Sequence, residues 1–130
     1  MTATSDRPTP VHPPVYIDPA TAATYSLDSP RWRSASGGPL MITPLPGMRR
    51  EAIDRSELSL WRYRRALAVD VAEPISLGEG MTPLVERRWR GTPSLFKLEW
   101  FGPSGSFKDR GASVMLSVLR QQGVTRVLED

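Results

Sequence analysis

The chain has 130 residues, 39% of them apolar and 24% charged, with a net charge of +3 and a pI near 9.8. That is enough for one modest domain, and the absence of cysteine excludes disulfides and thiolate metal sites. No apolar run approaches the ~20 residues of a membrane span, and MTATSDRPTP lacks the basic and apolar regions of a secretion signal, so a cytoplasmic protein without membrane contact is expected.

Most of the 13 prolines fall in the first third of the chain. Residues 1–50 therefore read as an irregular, Pro-rich leader, within which Val15, Tyr16 and Ile17 could pair as an edge strand. His12 has no neighbour that suggests a ligand role. Residues 31–47 continue the leader, with turns at Ser36–Pro39 and Pro44–Gly47 around the short apolar run Leu40, Met41, Ile42. Residues 51–130 read as the folded part. Leu58, Trp61, Arg65 and Ala66 fall at helical spacing, which predicts a helix or helical turn over 56–66. Residues 74–83 are punctuated by Pro74, Gly78, Gly80 and Pro83 and read as a loop. Leu84–Glu86 reads as a short extended piece, Gly91–Pro93 as a turn, and the alternating residues 95–100 as a strand.

The clearest helix is predicted over 106–122. Ser106 and Asp109 are spaced like a capping box. Phe107, Gly111, Val114, Met115 and Val118 share one stripe, which Ala112, Leu116 and Leu119 widen, and Gly123 is placed to end the helix. Residues 126–130 read as a second strand. Strand, helix, strand predicts one βαβ unit of a parallel sheet, an α/β fold with functional residues in loops at the carboxyl ends of strands.

Lys108 stands out within this frame. It lies in the first turn of the predicted helix, just after the small residues Gly102 to Ser106. The positive end of the helix dipole disfavours an ammonium there, and Arg110 adds a second cation. The first-turn N–H groups are available to an anion. A solvated surface lysine beside a capped helix is the plainest alternative; a nucleophilic amine is the sharper one. The same stretch is not a P-loop, because Phe107 replaces the second glycine and Asp109 the magnesium-binding hydroxyl.

Two separated motifs carry a family resemblance. Leu77-Gly78-Glu79-Gly80-Met81-Thr82-Pro83-Leu84 is similar to the LGEGxTPL loop of the fold-type II pyridoxal-phosphate enzymes. Phe96-Lys97-Leu98-Glu99, followed by Pro103 to Gly111 (PSGSFKDRG), is similar to the family's KxE and NPTGSFKDRG. Leu60-Trp61-Arg62-Tyr63-Arg64 resembles the LWRY lead-in of some members. The closest resemblance is to the threonine synthases and covers residues 60–130. It implies that Lys108 carries pyridoxal 5'-phosphate as a Schiff base and later moves protons at substrate carbons, with Ser106 and Phe107 beside the cofactor. It places Thr82, Glu99 and Ser104 as substrate-side candidates and implies a small amino-acid substrate. It leaves open a homo-oligomeric parent enzyme.

The departures are local. Gly102 stands for the usual Asn and Ser104 for the usual Thr. Ser34 and Ser36 stand where a Cys-x-Cys-Gly-Gly element often occurs, so no metal is expected. Family members are several times longer, so the chain reads as an N-terminal piece of such an enzyme, inactive alone. A second class stays open: a non-catalytic remnant or basic interaction module without cofactor. Its motive is the interleaving of Trp61 and Tyr63 with Arg62, Arg64 and Arg65, and of Trp89 with Arg87, Arg88 and Arg90. Amphipathic surface accounts for these arginines more simply, and no nucleic-acid partner is expected.

Overall fold

The computed structural model describes residues 13–128. His12 and the last two positions of the expected second strand lie outside them. Two small antiparallel sheets, three short 3₁₀ segments and one α-helix make up the described chain. The first sheet has β1 (Tyr16–Ile17) at its centre, between β2 (Thr24–Tyr25) and β3 (Met41–Ile42). The expected edge strand is thus the middle strand, and 13–47 is fastened by non-local pairing rather than being an irregular leader.

The anchor of that region is a polar one. Asp18 is 1% exposed, and its carboxylate accepts from the Ala20 N–H at 2.8 Å and the Ser36 hydroxyl at 2.8 Å. Ser34, also buried, is 2.8 Å from the Ser36 hydroxyl and accepts from the Gly38 N–H at 3.0 Å. The two turns at 18–23 and 34–38 are joined through this carboxylate, whose own burial requires such donors.

The second sheet is a hairpin of β4 (Leu84–Trp89) and β5 (Thr92–Lys97), paired from Leu84↔Lys97 to Trp89↔Thr92. Its two-residue turn has Arg90 at φ 47° and Gly91 at φ 81°, both positive as a type I′ hairpin turn requires. Gly91 turns the chain between two extended pieces as expected, and the antiparallel pairing of those pieces is new. Residues 124–128 are not in a strand, and no parallel pairing exists among the described residues, so the βαβ unit is not formed there. The hairpin itself is local: a tight turn with the right backbone signs returns the chain against its own neighbour.

The helix α1 spans Asp109–Gln121. Gly123, at φ 79°, ends it as expected, with Val124 N–H donating to the Leu119 carbonyl at 2.9 Å. Val114 and Val118 pack on the core cluster Leu60, Trp61 and Val71, together with Leu67 and Val69. Phe107 and Met115, read as part of the same stripe, are exposed. The fully covered residues of α1 are two serines. Ser113 accepts from the Trp61 indole N–H at 2.9 Å and donates to the Ile75 carbonyl at 2.7 Å, while Ser117 accepts from the Ile75 N–H at 2.8 Å. The helical turn expected over 56–66 is a 3₁₀ segment, Leu60–Ala66, whose first turn is capped by the Ser59 hydroxyl.

Candidate functional site

The loop 76–83 is pinned first by Glu79. This residue is 2% exposed and accepts from the Ser76 hydroxyl at 3.0 Å and the Leu77 N–H at 2.8 Å. Burial pushes its carboxyl up, but the polar groups around it, the Ser113 hydroxyl, its own N–H, Leu77 and Ser76, outweigh that and hold it below its ordinary value. Its carbonyl takes the Leu60 N–H at 2.7 Å. Gly80 follows at φ 146°, where an added Cβ would sit 2.8 Å from the Leu60 backbone nitrogen. Only glycine fits both the angle and the space. Glu79 and Gly80 therefore tie the LGEG motif to the LWRY motif.

Thr82 comes next and is 6% exposed. Its hydroxyl donates to Glu99 Oε1 at 2.5 Å and accepts from Arg110 Nη2 at 3.1 Å. Arg110 also grips both oxygens of Glu99, with Nε to Oε2 at 2.7 Å and Nη2 to Oε1 at 3.2 Å. The Arg110 guanidinium, then the Thr82 hydroxyl, hold the Glu99 carboxyl down to about 2 against the opposing pull of burial. Glu99 in turn raises Arg110 above its ordinary value. Lys97 Nζ donates to the Thr82 carbonyl, and the Leu98 N–H donates to the Pro83 carbonyl at 3.0 Å. Thr82 and Glu99, singled out in the sequence, do meet. Arg110, the residue that joins them, was read there only as a cation beside Lys108.

The lysine loop lies on the other side of Arg110. Lys108 is exposed and immediately precedes α1. Its N–H donates to the Ser106 hydroxyl at 3.1 Å, and its carbonyl accepts the Ala112 N–H at 2.9 Å. The expected capping box is not the arrangement found. Asp109 instead reaches back and accepts from the Ser104 N–H at 2.9 Å and from the Ser104 hydroxyl. Ser104 is thus bound to the helix start, apart from Thr82 and Glu99. Gly102 lies under this contact: a Cβ there would come 2.6 Å from Asp109 Oδ2 and 3.0 Å from the Ser106 carbonyl. Any side chain at this position would displace Asp109, so Gly102 leaves room for the Asp109–Ser104 contact.

Two larger cavities of about 540 and 480 Å³ share the lining residues Pro13, Pro14, Ala68, Val69 and Asp70. A small one of about 90 Å³ lies between Glu79, Asp109 and Ser113. Lys108 lines neither these nor the fourth, at Pro30–Ser34. Among the described residues no group of three or more His, Cys, Asp or Glu could hold a metal ion, and no helix is long and apolar enough to cross a membrane.

Comparison with known proteins gives a partial match. Residues 75–130 match the family model for pyridoxal-phosphate dependent enzymes, so both motifs lie in the matched segment, and pyridoxal phosphate is that family's cofactor. The chain is also similar to threonine synthases. It is 38% identical over 80 residues to the threonine synthase of Methanocaldococcus jannaschii, covering 57% of this chain and 20% of that protein. It is 40% identical over 76 residues to that of Methanosarcina acetivorans, covering 55% and 16%. The threonine synthase of Halalkalibacterium halodurans is 33% identical over 82 residues, covering 55% and 23%. The chain thus spans about a fifth of the length of the curated relatives it matches. No solved structure matches it.

The residues present fit one end of this cofactor. An exposed primary amine at a helix start, flanked by hydroxyl-bearing Ser104 and Ser106, suits an aldehyde carbon. The phosphate end is not provided for at the same place, because the Asp109 carboxylate already occupies the first turn that would attract an anion.

Proposed function

We propose that this chain carries the lysine-bearing segment of a cytoplasmic, threonine synthase-like lyase that converts O-phosphohomoserine and water to threonine and phosphate. The observation that carries this reading is the position of Lys108, exposed in front of α1 within the segment that matches the pyridoxal-phosphate family. Bound pyridoxal phosphate would supply the electron sink for carbanions beside the substrate amine. Lys108 would anchor the cofactor covalently and, once displaced by the substrate amine, move protons at the substrate carbons. Ser106 accepts the Lys108 N–H and so orients the backbone that carries the amine. Phe107, which is 72% exposed, offers an apolar face next to it. Residues 1–50 and 51–130 remain our proposed division into an N-terminal segment and part of the catalytic domain.

The chain holds two lysines, Lys97 and Lys108, which makes the test direct. After incubation with pyridoxal phosphate and reduction with borohydride, peptide mapping should find the label on Lys108 in preference to Lys97, and Lys108→Ala should abolish it. Equal labelling of both lysines would count against the assignment. The 130 residues alone should release no phosphate from O-phosphohomoserine, since Lys108 lines none of the four cavities and positioning accounts for about 7–11 kcal/mol of such a barrier. Turnover that depends on Lys108 would show that the chain is an enzyme by itself.

One observation favours a second reading. The hairpin β4–β5 carries exposed Arg87, Arg88 and Arg90 near its turn, with the Arg90 guanidinium 6.0 Å from the ring centre of Trp89. A basic interaction module would use that tip and take no cofactor, so selective labelling of Lys108 separates the two readings.

A further inference from the structure

Thr82 and Glu99 were expected on the substrate side of the site, yet their hydrogen-bonding capacity is turned inward. The Thr82 hydroxyl gives its one proton to Glu99 and accepts from Arg110. Both Glu99 oxygens are held by the Arg110 fork, the bidentate geometry that gives such pairs their directionality. Two other ion pairs, Arg64–Asp70 and Arg120–Glu73, are 3.9 Å apart, whereas Arg110–Glu99 closes to 2.7 Å with both side chains about two-thirds covered.

We propose that Thr82, Glu99 and Arg110 form a clasp that positions Lys108, and that none of the three serves as a substrate contact. This rests on the reading of Lys108 as the cofactor-bearing lysine. The clasp joins three separated segments: the loop after Gly80, the 3₁₀ turn that follows β5, and the first turn of α1. Arg110 lies two residues beyond Lys108, and the Lys108 carbonyl is already committed to the first helical hydrogen bond. A shift of Arg110 therefore carries the Lys108 backbone with it. On the opposite side, Asp109 holds the incoming loop through Ser104. The two contacts fix where the lysine leaves the backbone. Because Arg110 is neutralised by Glu99, its charge is compensated at the clasp rather than directed at the amine.

The test uses the 130-residue chain and two readouts: amide hydrogen exchange over residues 108–112 without cofactor, and the rate of borohydride-trapped labelling at Lys108 with pyridoxal phosphate. Arg110→Gln should speed exchange in the first turn of α1 about fivefold or more, with exchange at the helix end unchanged. It should slow labelling of Lys108 by about tenfold. Arg110→Lys, which keeps the charge but loses the fork, should recover part of both. Thr82→Ser should behave as the parent chain, and Thr82→Val should follow Arg110→Gln more weakly, which keeps the test open if Arg110→Gln does not fold. Selective labelling of Lys108 in the parent chain together with unchanged exchange and labelling in Arg110→Gln and Thr82→Val would overturn the clasp alone. Equal labelling of Lys97 and Lys108 in the parent chain would overturn the reading of Lys108, and with it the positioning role.

Discussion

The segment 13–47 and the segment 59–122 are held together in opposite ways. In the first, three strands of two residues each pair through their backbones, and one covered carboxylate, Asp18, joins the turns at 18–23 and 34–38. In the second, an apolar nucleus of Leu60, Trp61 and Val71 is primary, and polar side chains stitch loops onto it. Ser113, Ser117 and Gln121 of α1 bind the backbone of Ile75, Ala72 and Asp70. The difference shows where stability is concentrated. A nucleus gains from every apolar atom it buries, whereas a carboxylate hub depends on one charge keeping its donors.

The largest test of this contrast is Trp61→Ala. It removes a buried ring and leaves the Ser113 hydroxyl without its indole donor, and should cost about 3–5 kcal/mol. Urea denaturation followed by far-UV circular dichroism should show the helix lost at a much lower midpoint. A shift under about 1 kcal/mol would mean that the nucleus is not what holds α1.

Gly80→Ala should come second. A Cβ there meets the Leu60 backbone nitrogen at 2.8 Å in a backbone conformation of φ 146°, with an expected cost of about 1–3 kcal/mol. The same denaturation curve reports it. An unaltered midpoint would show that the LGEG loop can separate from Leu60 without consequence.

Acid should act on the first region. The Ser36 hydroxyl, the Ala20 N–H and Ser34 hold the Asp18 carboxyl well below the carboxylate range, against the opposing effect of burial. A group whose folded pKa is depressed stabilises the fold above its unfolded value of about 3.9, and the contribution fades as pH falls below that. Amide exchange at residues 16–25 should therefore accelerate as pH is lowered from about 4 toward 2, beyond the intrinsic effect of pH on exchange. In Asp18→Asn that extra acceleration should vanish. If the pH dependence survives this substitution, another group holds the sheet.

The smallest effect is expected for Lys108→Ala. The residue is exposed, and its loss should change stability by less than about 1 kcal/mol while removing cofactor labelling altogether. A large destabilisation would make Lys108 a structural residue and weaken its functional reading.

Much of the site was legible in the sequence because it is written in local motifs. The end of α1 at Gly123 and the motifs that single out Lys108, Thr82 and Glu99 lie within short stretches, whereas α1 starts at Asp109 rather than at the expected Ser106. Arg110 was misread because a charge beside Lys108 in sequence suggests repulsion, and nothing local shows that Glu99 compensates it. Ser113 and Ser117 escaped for a similar reason: a small polar residue on a helix reads as surface unless the backbone it binds is known. The capping box was expected from the Ser106–Asp109 spacing, but the Asp109 carboxylate found Ser104 instead.

The sequence by itself determined the family resemblance of residues 75–130, the absence of thiol chemistry, the helix, and the lysine that draws attention. Their physical basis is local: propensity, spacing and capping act within a few residues. Only the tertiary structure decided the rest. The hairpin paired β4 with β5, Asp18 fastened a stretch expected to be irregular, and Arg110 brought Thr82 and Glu99 together. Each of these depends on which distant backbone donor or charge reaches a polar side chain first, and that is set by packing rather than by order along the chain.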